Sequence, residues 1–172
     1  KLEYNMQPID PKPVNLVAVA RQSVVDFINL GMEEKYPIKW NTDEALPACV
    51  INGDKELLRR AIGNLITNAQ AHNPDGCTIS VCVEKSGTEY KIIIEDNGIG
   101  VTDKKLEKLR TTPHYMMSDS GTAEPRHGLG LLIVGQIVSA HKGTVSFDHG
   151  KQGGFAVTMA FPIINKESDE LR

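Results

Sequence analysis

The sequence predicts an α/β fold in which a mixed, mostly antiparallel sheet carries about three helices on one face. Three observations lead there. Strand-like and helix-like segments alternate along the 172 residues. Two pairs of strand-like runs are joined by short Gly-containing turns that require antiparallel pairing. Three other segments repeat apolar residues at helical spacing. A chain of this length is about one ordinary domain with room for a sizeable core.

The opening stretch contains Pro8, Pro11 and Pro13 and reads as extended, so residues 1–12 are expected to be the end of a linker and residues 13–164 the domain. From Asn15, a candidate N-cap, the residues Leu16, Ala20, Val24, Phe27 and Ile28 recur at helical spacing as far as Gly31. Two brief strands are expected around Ile38 to Trp40 and Cys49 to Ile51, bracketed by Pro37, Asn41, Pro47 and Gly53. Asp54 caps a second helix running to about His72, where Asn73, Pro74, Asp75 and Gly76 stop it. The runs CTISVCVEK and EYKIIIEDN form a hairpin around Ser86, Gly87 and Thr88. Residues 97–127 contain few bulky apolar groups and read as one long loop, a length that marks a functional or disordered segment. A third helix, Leu129 to His141, follows Gly128 and ends at Lys142 and Gly143. TVSFDH and FAVTMAFP form a second hairpin across residues 150–154, and the polar tail, residues 165–172, is expected to fray.

Composition removes several function classes. A net charge of -3 with 24% charged and 40% hydrophobic residues argues against both an acidic disordered tail and an electrostatically driven nucleic-acid binder. No apolar run reaches the roughly 18 residues that span a bilayer, and KLEYNMQPID lacks a signal-peptide layout, so no membrane contact by this segment is expected. The start on Lys rather than Met suggests a piece of a longer protein. Cys49, Cys77 and Cys82 form no CxxC pair and leave an odd count, which argues against a disulfide framework or a zinc site and for a reducing, cytosolic setting.

Three groups of residues carry chemistry. On the second helix Leu58, Ile62, Leu65 and Ala69 share one side, whereas Asn64 and Asn68 lie together roughly 100° away. A polar helix edge explains two such residues, but Asn is a poor helix former and its amide oxygen is a serviceable hard ligand for magnesium. Asp96, Asn97, Gly98, Ile99 and Gly100 follow three isoleucines. They read either as a plain strand-ending turn or as a carboxylate delivered by a buried central strand to the floor of a cavity, where it needs a donor. Gly128 and Gly130, flanking Leu129, stand at a helix start, as a hinge or as backbone amides open to phosphate. No GxxxxGK[ST] or dinucleotide fingerprint occurs.

In this order the motifs resemble those of the ATP-binding catalytic domain of sensor histidine kinases, in the ATPase superfamily shared with gyrase-type topoisomerases and mismatch-repair clamps. RRAIGNLITNAQAHNPDG resembles the family's Asn box, EDNGIGV its first glycine box, HGLGLLIVGQIVSAHKG its second and GGFAVTMAFP its closing strand motif. The resemblance implies a two-layer α/β sandwich that binds ATP and Mg2+. It implies that Asn68 holds the magnesium with Asn64 beside it, the two forming the catalytic pair, and that His72 lines the nucleotide site. Asp96 would accept from the adenine amino group, Gly98 and Gly100 would let the backbone turn under the base, and Thr158 would reach a water beside Asp96. Gly128, Leu129 and Gly130 would present amides to the phosphates, with residues 101–127 as the lid.

The sequence departs from the pattern at three places. Ala71 stands where a basic residue is common after the magnesium Asn, LEKLRTTPHYMM lacks the aromatic box, and Arg126 and His127 precede Gly128. Arg126 is either a substitute cation for the phosphates or a solvated lid residue. His72, His114, His127, His141 and His149 are followed by Asn, Tyr, Gly, Lys and Gly, none an acidic neighbour, so the acceptor histidine is expected on an upstream dimerisation domain. The implied function is a protein-histidine kinase that passes the ATP γ-phosphoryl group to that histidine. Its further partner is a response regulator, and its placement is cytoplasmic whether or not the parent is anchored in a membrane. A nucleotide-binding module without transfer activity and an anti-sigma-type protein-serine kinase are the alternatives. A hydrolysing clamp of the gyrase type carries Glu four residues before the magnesium Asn, where this chain has Asn64.

Overall fold

A computed structural model describes residues 9–111 and 125–163, with backbone alone for residues 125–129. Its elements are β1 (Lys12–Asn15), α1 (Leu16–Asn29), β2 (Ile38–Trp40), β3 (Val50–Gly53), α2 (Lys55–His72), β4 (Ile79–Ser86), β5 (Glu89–Asp96), α3 (Asp103–Thr111), α4 (Pro125–Ala140), β6 (Thr144–His149) and β7 (Phe155–Pro162). The main sheet has the order β2-β4-β5-β7-β6. Only β2 and β4 run parallel; the other pairs are antiparallel. β5 is therefore the middle strand, the position its isoleucine run suggests.

Strand alternation sorts the sheet into two faces. Ile79, Val81 and Val83 of β4, Ile92 and Ile94 of β5, and Phe155, Val157, Met159 and Phe161 of β7 are buried in one continuous core. That core is closed by Leu16, Val19, Val24 and Phe27 of α1, Leu58, Ile62 and Leu65 of α2, and Val134, Ile137 and Val138 of α4. Each such side chain contributes about 1.5–3 kcal/mol when fully buried, so alternation on one sheet face and helical spacing on three helices define the two-layer sandwich.

Local signals act as expected at most boundaries. The Asn15 side chain accepts from Val17 N at 3.0 Å, capping α1. Asp54 Oδ1 accepts from Glu56 N and Leu57 N, both at 3.1 Å, capping α2. Gly87, at φ +61°, closes the β4–β5 hairpin. The extended lead-in pairs as β1 with β3 in a separate two-stranded ribbon, from Lys12 opposite Gly53 to Asn15 opposite Val50.

Residues 97–127 are not one loop, as the sequence reading expected. The first part folds as α3, a fourth helix among the described residues, because Leu106 and Leu109, spaced i and i+3, bury one face. Thr102 caps it, its Oγ1 accepting from Lys105 N at 3.1 Å. α3 packs on edge strand β6: Arg110 Nε donates to Phe147 O at 2.9 Å, and Arg110 Nη2 lies 2.6 Å from Asp148 Oδ1. Near its other end, His149 Nε2 lies 2.6 Å from Asp103 Oδ1. α4 begins at Pro125, before the expected start at Leu129, with proline in the first helical position that suits it. Residues 1–8, the part of the lid over 112–124, and the tail from 164 lie outside the described residues. No helix among the described residues is long and apolar enough to cross a membrane.

Candidate nucleotide site

Asp96 ends the middle strand with its side chain on the helix-covered face, opposite Ile79, and is only 4% exposed. Its Oδ1 accepts from Gly98 N at 2.9 Å and from Phe155 N at 3.4 Å. Burial pushes its pKa up; the two backbone amides, His72 and Asn73 act in the opposite direction. This is the buried carboxylate with donors that the sequence called for. The turn beyond it is pinned to β4, since Asn97 Oδ1 accepts from Thr78 N at 2.8 Å.

The glycines around this turn have different reasons. Gly100, at φ +70°, lies against the 150–154 loop, where a Cβ would stand 2.5 Å from Gly153 O. Gly98 is not among the positive-φ residues; a Cβ there would overlap the side chain of Asn73. A Cβ on Gly154 would overlap the backbone and Oδ1 of Asp96.

The carboxamides stand on α2. Asn64, Asn68 and His72 are four residues apart, so they form a row about 12 Å long on one side of the helix. His72 Nε2 donates to Gly100 O at 3.2 Å, tying the end of this row to the Asp96 turn. No hydrogen bond of the Asn64 or Asn68 side chain is found among the described residues. With no partner among the described residues, these two half-buried amides are available to a hard cation or a polyanion. α2 packs along α4. With α4 starting at Pro125, the amides of residues 126 and 127 precede its regular hydrogen bonds. The amides of Gly128 and Gly130 both fall inside the helical ladder, contrary to the expectation for both, and the amides open to an anion are those of residues 126 and 127. A Cβ on Gly130 would meet nothing within 4 Å. The side chains of Arg126 and Leu129 lie outside the described residues.

Thr158 does not stand beside Asp96. It pairs with Ile93, three residues from Asp96, and an odd offset turns it to the opposite face of the sheet. The donor on that side is the Phe155 amide. Asn73, read from the sequence only as a helix stop, is the residue that sequence reasoning missed. It is 2% exposed, and its carboxamide joins Ala69 O to Ile99 N. A polar residue immediately after a helix whose last turn faces the core was the available signal. Gly154 was hidden in the same way, as one more hairpin glycine.

A five-stranded mixed sheet with helices on one face, a buried carboxylate at the end of its middle strand and a row of carboxamides alongside defines a class: two-layer α/β nucleotide-binding domains. The chain matches the family described as histidine kinase-, DNA gyrase B- and HSP90-like ATPase over residues 53–165. Among its relatives, sporulation kinase B of Bacillus subtilis (strain 168) is 36% identical over 120 residues, covering 69% of this chain and 27% of that kinase. Sensor histidine kinase YvrG of the same strain is 26% identical over 161 residues, covering 94% of this chain and 27% of the relative. The chain thus spans about a quarter of the length of these relatives. Among solved structures, the mycobacterial sensor histidine kinase MprB aligns with a TM-score of 0.68 at 23% identity, over 88% of this chain and 97% of that one. The ATP binding domain of PrrB from Mycobacterium tuberculosis aligns at 0.62 and 25% identity, over 91% and 99%. The chain belongs to the histidine kinase-, DNA gyrase B- and HSP90-like ATPase family, and within it to the ATP-binding catalytic domains of sensor histidine kinases.

Proposed function

We propose that the chain binds magnesium-ATP between α2, the Asp96 turn and the start of α4, and passes the γ-phosphoryl group to a histidine on a separate dimerisation domain. The observation that carries this reading is the pairing of a buried, amide-held Asp96 with carboxamides that have no partner among the described residues, one and two helical turns along α2 from His72. An ionised Asp96 accepts from the exocyclic amino group of adenine and repels the carbonyl oxygen of guanine. His72 and Gly100 close the base end of the site. The α4 N-terminus, with the amides of residues 126 and 127, meets the phosphates, and Arg126 follows Pro125 in the first turn of that helix. The amide oxygen of Asn68 is the ligand offered to magnesium, with Asn64 beside it. Magnesium, when bound, neutralises phosphate charge.

Asn64 separates transfer from hydrolysis, because a carboxamide cannot take a proton from water. A neutral histidine is itself nucleophilic near pH 7 and needs no base, so the chain has only to position ATP and compensate its charge. The acceptor would come from the dimerisation domain, and the phosphoryl group would pass on to a response regulator. The test mixes the chain with a dimerisation domain of the same parent and labelled ATP. Label should appear as acid-labile phosphohistidine on the partner, with little free phosphate. Rapid release of phosphate by the chain alone contradicts the proposal, and so does tight ATP binding with neither hydrolysis nor transfer. Asn68→Ala should lose the magnesium dependence of ATP binding; calorimetry showing unchanged magnesium-ATP affinity removes Asn68 from the site.

A further inference from the structure

We infer that Asn73 is a positioning residue of the nucleotide site: its carboxamide fixes the Asp96 turn to the end of α2, and position 98 is glycine because that carboxamide fills the space a β-carbon would need. The inference rests on the nucleotide-binding reading above and extends it to a residue that touches no nucleotide.

The geometry uses both ends of the amide. Asn73 Nδ2 donates to Ala69 O at 2.9 Å, satisfying a carbonyl of the last helical turn. Asn73 Oδ1 accepts from Ile99 N at 2.8 Å, in the middle of the turn that follows Asp96. The backbone of Asn73 is itself held, since Tyr36 Oη donates to Asn73 O at 2.9 Å and to Gln70 O at 3.2 Å. One buried side chain therefore bridges the helix that carries the carboxamide row and the turn that carries Asp96. The side chain must donate at one end and accept at the other. Aspartate cannot donate and would set a second carboxylate near Asp96; alanine takes away the partner of the buried Ala69 carbonyl and of the part-buried Ile99 amide.

Gly98 supplies an independent observation. Its φ is not in the left-handed region, so backbone freedom does not explain it. The space beside it is taken by Oδ1, Cγ and Nδ2 of Asn73, the three nearest heavy atoms to a Cβ built there. The amide of Gly98 meanwhile donates to Asp96. Moving Gly98 away from Asn73 would move the donor that holds the carboxylate. Positions 73 and 98 are thus sterically reciprocal: a side chain can grow at one only if the other shrinks.

The test is a double-mutant cycle in the full chain with Asn73→Ala, Gly98→Ala and both together, read by ATP and GTP affinity, with thermal unfolding to show that each variant is folded. Asn73→Ala should weaken ATP about ten-fold, the loss of one well-made buried hydrogen bond, while GTP changes little, so that the preference for ATP narrows. Gly98→Ala should weaken ATP by more than ten-fold. The double variant should bind ATP more tightly than Gly98→Ala alone, because the collision is gone. Asn73→Ser, whose hydroxyl keeps some donor and acceptor capacity, should fall between parent and Asn73→Ala and guards against an unfolded alanine variant. A double variant no better than Gly98→Ala, or an unchanged ATP-to-GTP ratio in Asn73→Ala and Asn73→Ser, overturns the inference while leaving the nucleotide-binding reading intact. A parent chain that binds no ATP overturns that reading and this inference with it.

Discussion

Asp96 works against the stability of the fold that holds it. Burial raises its pKa, so the folded chain holds the proton more tightly than the unfolded chain does. Its contribution to stability is therefore fully present below the unfolded pKa and lost as pH rises through the folded one. ATP binding has the opposite sign, because only the ionised form accepts from adenine without offering a proton of its own. ATP affinity should fall on acidification at a higher pH than an ordinary aspartate, near about 3.9, would impose. Asp96→Asn isolates the charge. The amide oxygen can still accept from Gly98 N and Phe155 N, so unfolding of the nucleotide-free variant should occur at higher temperature than in the parent. Its NH2 group opposes the adenine amino group, and ATP should weaken by about 1.5–3 kcal/mol, roughly ten-fold to a hundred-fold. Calorimetry across pH and thermal scans without nucleotide measure both; a variant that is less stable and binds ATP as before contradicts the assignment.

The elements were legible where one residue type served one purpose. Asn15 and Asp54 capped helices as their short polar side chains suggest, and the isoleucines of β5 found the middle of the sheet. α3 was not legible, because Leu106 and Leu109 are only two apolar residues among Lys, Glu and Arg, too few to outweigh the surrounding polar composition. It is held from outside, by its packing on β6 and by Arg110 at Phe147 and Asp148. Arg110 and Asp148 are both substantially exposed, so Arg110→Ala should cost at most about 1 kcal/mol and lower the melting temperature by only a few degrees. The larger response should be local, as faster amide hydrogen exchange in residues 103–111; exchange there equal to the parent's would show that Leu106 and Leu109 suffice. The site was half legible for a related reason. Asp96, Gly98 and Gly100 stand in one short run, whereas Thr158 was misplaced because a strand's face depends on register, which a motif does not state. Asn73 and Gly154 were missed because their roles exist only across elements distant in sequence.

At the scale of the molecule the proposed function has the chain hold ATP and leave the acceptor to a partner. Asn64→Glu places a carboxylate one turn from Asn68 and supplies the missing proton acceptor. Phosphate release by this variant should rise above that of the parent, with a matching fall in the share of label reaching a partner histidine; an unchanged partition would mean that water is excluded by other means. The uninterrupted course of α2 from Lys55 to His72 has a last consequence. One continuous helix carries Asn64 and Asn68 along its middle and is tied at its end, through His72 and Asn73, to the turn after Asp96. The interval between the two ends cannot stretch, so under the proposed function the helix should work as a gauge, accepting or refusing a ligand by its span. Adenosine engages one jaw only, and each added phosphate should tighten binding until the second jaw is reached, whatever conformation the lid adopts.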